Sequence, residues 1–338
     1  MPRILLTGAA GYIGSHTWLA LLGAGFDVIG VDNFANAHPR VLDRLSRLTD
    51  RPIQFEQADV RSAPAMGAVL ARHPVQAAIH FAALKAVGES AALPLEYYDN
   101  NITGLLQTLQ SLRAAGCQRM VYSSSATVYG EPETLPIIET AALGATNVYG
   151  RTKLFGEHML DDLGHADPAW RLAKLRYFNP VGAHESGEIG EAPRGTPNNL
   201  MPYVAQVAGG HRPFLSVYGD DYPTADGTGV RDYIHIDDLA HGHVRAVQHL
   251  LDGGDSFCVN LGTGRGHSVL EVVQAYSQAS GREIPIRFAP RRPGDVAACW
   301  ADPGLARQLL GWQSVHDLAR MCQDSWRWQT RHPQGFDE

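Results

Sequence analysis

The 338 residues carry 28 basic and 35 acidic side chains, a net charge of −7, and 44% of them are hydrophobic, which suits sizeable cores and about two domains folding without staples. No Lys/Arg run of the kind that marks nucleic-acid or anionic-membrane binding occurs, and no uncharged apolar run reaches the roughly 18 residues of a spanning helix, so a small-molecule partner is favoured. Cys117, Cys258, Cys299 and Cys322 are scattered with no C-x-x-C pair, which reads as free thiols and no metal site. Met1-Pro2-Arg3 runs straight into an apolar segment, leaving no room for a signal peptide, and the cytoplasm is the expected location.

Short apolar runs then alternate with helical patterns. Ile4-Leu5-Leu6, Val28-Ile29-Gly30-Val31, Ile53-Gln54-Phe55, Ala77-Ala78-Ile79-His80-Phe81, Arg119-Met120-Val121-Tyr122 and Ala173-Lys174-Leu175-Arg176-Tyr177 are expected as successive strands. Helices are expected near residues 12–24, 39–48, 64–72, 94–115 and 149–164. The class is α/β, a Rossmann-type doubly wound parallel sheet. From Asn179 onward Gly and Pro become dense, as in Asn179-Pro180-Val181-Gly182 and Pro193-Arg194-Gly195-Thr196-Pro197, where a smaller substrate-binding region is expected to begin. Strand-like apolar pieces return around 233–262, so the two regions interleave: residues 1–179 with that returning piece form one domain, and 180–232 with 263–338 the other.

Gly8-x-x-Gly11-x-x-Gly14 follows the first strand and opens the helix that begins near Tyr12 and Ile13. Glycines there permit a tight turn, and the helix N-terminus offers free N–H groups and a positive dipole to a pyrophosphate. Asp32, at the end of the next strand, can accept hydrogen bonds from both hydroxyls of an adenine ribose and would repel a 2′-phosphate; Asn33 and Phe34 supply no cation, so NAD is favoured over NADP. Asp59-Val60, after the third strand, is placed to face the adenine, although an Asp there is also a common helix cap.

Ser123-Ser124-Ser125 lies at the carboxyl end of a strand, the edge where open parallel sheets bind ligands. Downstream, Tyr149 and Lys153 stand four apart on one helix face, where an ammonium can stabilise a phenolate and make it a base near neutral pH. That is chemistry for taking a proton from an alcohol while a nicotinamide takes the hydride. Each motif alone is weak; their conjunction in this order is not.

On these residues the chain resembles the extended short-chain dehydrogenase/reductase superfamily, and within it the UDP-glucose 4-epimerase family. The matching stretches are Thr7 to Ser15, Phe81 to Ser90, Pro94 to Asn101, Ser123 to Gly130, Tyr149 to Lys153, Leu175 to His184, Asn198 to Pro202, Gly229 to His235, Asn260 to Gly264 and Ala289 to Gly294. The resemblance implies reversible C4 epimerisation of UDP-glucose and UDP-galactose through a 4-keto intermediate with tightly bound NAD: Tyr149 as base, Lys153 holding the nicotinamide ribose and lowering the Tyr pKa, Ser125 bonding O4 and relaying the proton. Cofactor contacts would map onto Gly8, Gly11, Tyr12, Ile13, Gly14, Asp32, Asn33, Asp59, Val60, Phe81, Ala82, Lys85, Asn100, Ser123, Tyr149, Lys153, Tyr177 and Phe178. Nucleotide-sugar contacts would map onto Lys85, Ser125, Tyr149, Asn179, Asn199, Leu200, Tyr218, Arg231, Arg292, Asp295 and Cys299, with the two arginines suited to diphosphate oxygens. A homodimer packing helices near 97–115 and 149–164 is likewise implied, although apolar faces on those helices could equally be buried within one chain.

Two residues depart from the family pattern. Ala83 replaces a common Gly, which tightens packing. Cys299 stands at the gatekeeper position beside the sugar's C2 substituent, where a Tyr restricts the pocket, so UDP-N-acetylhexosamines are expected as substrates too; the plainer reading is a buried small hydrophobe. A nucleotide-sugar 4,6-dehydratase would need an acid and a base just after the catalytic serine, where Ala126 and Thr127 stand. A decarboxylase would need extra polar groups there. An NAD-dependent sugar reductase shares the Tyr/Lys pair but would release its cofactor, and a non-catalytic NAD-sensing protein would typically lack one of the pair.

Overall fold

The six expected runs form strands β1 (Arg3–Thr7), β2 (Asp27–Asp32), β3 (Gln54–Gln57), β4 (Ala77–His80), β5 (Arg119–Ser125) and β6 (Arg171–Tyr177). In this computed structural model residues 1–193, 197, 199–292 and 294–337 are described; Arg194, Gly195 and Thr196 of the Gly/Pro-dense stretch, and Asn198 and Pro293 of two matching stretches, lie outside them. Between the strands run α1 (Tyr12–Gly23), α2 (Arg40–Thr49), α3 (Ala63–Arg72), α4 (Val87–Ala92), α5 (Pro94–Tyr98), α6 (Gly104–Ala114) and α7 (Val148–Ala166). Beyond them the chain continues through β7 (Asn179–Val181), α8 (Leu200–Ala208), β8 (Leu215–Tyr218), β9 (Val230–His235), α9 (Ile236–Leu251), β10 (Phe257–Leu261), β11 (Gly266–Ser268), α10 (Val269–Ser280), β12 (Ile286–Ala289), β13 (Ala298–Cys299), α11 (Gly304–Leu310) and α12 (Leu318–Arg331).

The large sheet has the order β10-β6-β5-β4-β1-β2-β3, and all its pairings are parallel. Helices cover both faces, which is why its central strands are apolar on both sides. One core gathers Trp18, Leu21, Leu239 and Val247 against one face; the other gathers Met66, Leu105, Leu112 and Trp170. Each Leu or Val sealed there contributes about 2 kcal/mol. A smaller sheet sets β11 and β13 on either side of β9, which also pairs with β7, and β8 pairs with β12.

Three expectations change. The apolar stretch at 233–262 is mainly α9, because Ile236, Leu239, Ala240, Val244, Val247 and Leu250 recur at helical spacing and all turn inward; only its ends are strands. The helix expected over 94–115 is broken by a π-turn at Asp99–Thr103, a device that recurs at functional sites. It turns the Asn101 side chain inward, where it accepts from Leu84 N at 2.8 Å and donates to Leu84 O and Thr152 Oγ1 at 3.0 Å each. The short α4 was not expected at all.

Candidate active site

The glycine turn is built by close approach. Gly8 is left-handed (φ 67°), and a Cβ on it would lie 2.7 Å from Ala82 N; a Cβ on Gly14 would lie 2.3 Å from the Gly8 carbonyl oxygen. α1 therefore starts hard against the β1 turn, capped only by Gly11 and no side chain, with the first N–H groups of Tyr12 and Ile13 at its open end. Those donors, the tight turn and a buried carboxylate next door fit a dinucleotide.

That carboxylate is Asp32, which accepts from Ala10 N at 3.0 Å and Phe34 N at 2.8 Å, while burial pushes its pKa up. Each oxygen keeps lone pairs for a ribose. Asp59 accepts from Asn33 Nδ2 at 3.1 Å, and the Arg61 guanidinium beside it brings its pKa down to about 2. It does not cap α3; the Ser62 hydroxyl does. Val60 is buried behind it, and Phe81 packs edge-on against His243. Asn100 donates to Asn101, which fixes its amide. Tyr177 and Phe178 are buried, with the Tyr177 hydroxyl on His243 Nε2, so their side chains belong to the wall.

β5 and α7 bring Ser125, Tyr149 and Lys153 together. Asn147 caps α7, accepting from Gly150 N at 2.8 Å, and Ser90 Oγ accepts from Tyr149 N at 3.2 Å, which fixes where the helix begins. Lys153 is 2% exposed; its Nζ donates to the Ser123 carbonyl at 2.6 Å and lies 5.1 Å from the Tyr122 ring centre and 5.9 Å from that of Tyr149. Ser125 Oγ accepts from Thr127 N and Thr127 Oγ1.

The electrostatics differ from the expected ammonium-lowered phenol. Burial pushes Tyr149 up to about 12, opposed by a hydrogen bond with Ser125, and burial pushes Lys153 down to about 7. Desolvation acts against both charged forms at once and is the largest cause of each shift. His80, bonded to Thr7 Oγ1 at 3.0 Å beneath the site, is held neutral by burial and by Lys153, with its pKa at about 3.

Apart from Asn179, the remaining predicted residues fall into three groups. Glu191 Oε1 joins Lys85 Nζ at 3.2 Å and Asn199 Nδ2 at 2.9 Å, with Leu200 next to Asn199 at the start of α8. Arg231 and Cys299 are directly paired in the β9–β13 ladder, and Cys299 packs in a cluster with Ala126, Tyr129 and Phe178; burial raises its thiol to about 11. The Arg292 guanidinium lies 3.9 Å over the Tyr218 ring, and Asp295 N closes a turn onto Arg292 O. Asn179 opens β7 with an exposed side chain. Among the described residues no side-chain hydrogen bond joins these groups. All four cysteines are free, no His/Cys/Asp/Glu group could hold a metal, and no helix is long and apolar enough to cross a membrane, again among the described residues.

Sequence reasoning missed Asn101, which ties the Leu84 loop to α7, and the ion pair between Glu157 and Arg176 behind the serine run. The i, i+4, i+8 spacing of Tyr149, Lys153 and Glu157 was the available signal for the second.

A protein-family profile described as GDP-mannose 4,6 dehydratase matches residues 5–325. The UDP-glucose 4-epimerase of Bacillus subtilis (strain 168) is 54% identical over 333 residues, 98% of each chain. Among solved structures, the UDP-glucose 4-epimerase of Stenotrophomonas maltophila, with bound NAD and formylated UDP-arabinopyranose, superposes with a TM-score of 0.97 at 51% identity, covering 98% of this chain and 99% of its own. That of Bifidobacterium longum, in complex with NAD+ and UDP, gives 0.96 at 51% identity over the same shares.

Proposed function

This chain belongs to the UDP-glucose 4-epimerase family, an enzyme family that works with NAD, and from that premise we propose how its own residues carry the reaction. The glycine turn, Asp32, Asn33 and Asp59 hold the adenosine half of NAD, with Tyr149, Lys153 and the Ser123 strand end at the nicotinamide half. When bound, that cofactor would supply the hydride acceptor and donor for sugar C4. Ser125 orients the 4-hydroxyl, and its proton passes through Ser125 to the Tyr149 phenolate, which becomes the phenol. Lys153 Nζ, 5.9 Å from the Tyr149 ring centre, steadies the phenolate that takes the proton. The same path hands the proton back to O4 after the sugar has turned, so acid and base are one residue. Arg231 and Arg292 take the diphosphate, Asp295 a ribose, and Lys85, Asn179, Asn199, Leu200 and Tyr218 contact the nucleotide sugar.

The observation that carries this reading is the meeting of Ser125, Tyr149 and Lys153 at the carboxyl ends of β5 and β6, beside the glycine turn. The dehydratase description of the broad family profile does not extend to this site: Ala126 is apolar and the Thr127 hydroxyl is spent on Ser125 at 3.0 Å. Purified protein given UDP-galactose with no added NAD should form UDP-glucose, followed by anomeric proton NMR, with no net NADH. A stoichiometric demand for cofactor would indicate a reductase instead.

We further propose that UDP-N-acetylhexosamines are substrates. Cys299 packs among Ala126, Tyr129 and Phe178 and pairs with Arg231, and its thiol is smaller than the phenol ring that would restrict the pocket there. Cys299→Tyr should abolish conversion of UDP-N-acetylgalactosamine and spare that of UDP-galactose; N-acetyl activity that survives the substitution refutes the gatekeeper role. We also propose a domain division in which residues 1–179 and the returning segment bind NAD and 180–232 with 263–338 bind the nucleotide sugar. The homodimer is proposed on α6 and α7, where Phe155 is exposed and a hollow of about 290 Å³ is lined by Leu106, Leu109, Met159, Leu163 and Trp170 with Gln110, Arg113 and Asp162 among them.

A further inference from the structure

Behind the proton path lies a buried ion pair with no part in the chemistry above. Glu157 is 1% exposed and Arg176 4%; Arg176 Nε and Nη2 donate to the two carboxylate oxygens at 2.9 and 2.6 Å, and the Ser124 hydroxyl donates to the same carboxylate. A buried pair of this kind gains little net stability over apolar side chains of the same volume, so its value lies in geometry.

Two features supply that geometry. Tyr149, Lys153 and Glu157 share one face of α7, and the serine run holds two of them directly: the Ser123 carbonyl accepts from Lys153 and Ser124 donates to Glu157, which sets Ser125 against the Tyr149 phenol. α7 is also packed tightly against the Tyr122 side chain of β5 here, since a Cβ on Gly156 would lie 2.2 Å from the Tyr122 hydroxyl oxygen. A slip of the helix along the strand would therefore carry Tyr149 away from Ser125.

The network runs on from Arg176. Its Nη1 donates to the Tyr129 hydroxyl and to the Glu139 carbonyl, both at 2.9 Å. The Tyr129 hydroxyl donates to Asn260 Oδ1 at 2.6 Å, and Asn260 Nδ2 to the Ile137 carbonyl at 2.9 Å. Ile137 N in turn donates to Trp300 O at 2.9 Å, next to Cys299.

We propose that Glu157, held by Arg176 and Ser124, is a positioning residue for the epimerisation, setting the register of α7 so that the base meets the relaying serine, and tying that register to the strand that carries Cys299. It touches neither sugar nor cofactor. The proposal rests on Tyr149 being the base.

The test compares Glu157→Gln and Ser124→Ala holoenzymes with the parent in two readouts: the kcat and KM for UDP-galactose, and the ultraviolet titration of the Tyr149 phenol, taken as the difference from Tyr149→Phe in the same background. Glu157→Gln should lower kcat by at least about tenfold and Ser124→Ala by about threefold, KM staying within about twofold. In both, the phenol midpoint should move up as the Ser125 hydrogen bond loosens. Parental kcat in a folded variant, or a lowered kcat with an unmoved midpoint, overturns the proposal. Where Glu157→Gln does not fold, Ser124→Ala decides, because it leaves the ion pair intact. If Tyr149→Phe alone keeps turning over, the base assignment fails and this proposal with it.

Discussion

Lys153 should be a residue whose removal strengthens the fold while ending the chemistry. Its ammonium is buried, and its pKa falls from 10.5 to about 7 through desolvation alone. Because the folded-state value lies below the unfolded one, the unfolded chain binds more protons between pH 7 and pH 10.5, and stability rises with pH across that window. At pH 7 the buried charge costs about 4 kcal/mol, rising to about 5 kcal/mol below it and vanishing above pH 10.5. Lys153→Met keeps the volume and loses the hydrogen bond to Ser123 O, worth about 1 kcal/mol. The net gain at pH 7 is about 3 kcal/mol, or about 4 °C in Tm for a chain of this length. Melting curves of the two cofactor-free proteins across pH test it: the variant's lead should be largest below pH 7, shrink through the window and reverse by about 1 kcal/mol above it. A variant that melts below the parent at pH 7, or a gap that ignores pH, refutes the desolvation argument.

Tyr149→Phe should cut turnover by about a thousandfold while the purified protein keeps its NAD, read from cofactor released on denaturation. Asp32→Ala should weaken NAD by about tenfold to a hundredfold and narrow the preference over NADP, since Ala10 N and Phe34 N lose their shared acceptor along with the ribose; calorimetric titration with each dinucleotide checks both. Phe155→Asp replaces a ring that is 46% exposed on α7 with a carboxylate; on the proposed dimer it should leave a monomer by light scattering, with the melting temperature of the isolated chain little changed, and a parent that is itself monomeric refutes the dimer.

Where local pattern and tertiary environment agreed, the chain was readable. The six parallel strands are continuous apolar runs because both faces of the sheet are covered, and the glycine turn is visible because only glycine fits where Gly14 meets Gly8. Reading failed where a side chain's role is set by partners remote in sequence. Asn101 looks like any polar helix residue until the π-turn points it at Leu84 and Thr152. α9 hid because its apolar residues, taken in short windows, also suit strands. The direction of the Tyr149 shift was misjudged since adjacency on a helix face is a sequence property, whereas desolvation depends on everything packed around it. Spacing puts Glu157 on the face of Tyr149 and Lys153, but its pairing with Arg176, 19 residues on, is set by tertiary packing and burial.

The returning strand β10 has a consequence for how the protein is made. Its partner, β6, ends at Tyr177, yet Val259 and Leu261 are what satisfy its outer edge. During synthesis at ordinary rates the ribosome spends about ten seconds between the two, and for that interval the nascent sheet presents an apolar, hydrogen-bond-hungry border. The sheet of the N-terminal half is therefore complete only once the second half has been made. A nascent chain stalled between these strands should be a client for holdase chaperones, and a stop codon there should yield an insoluble fragment in place of a free-standing cofactor-binding module.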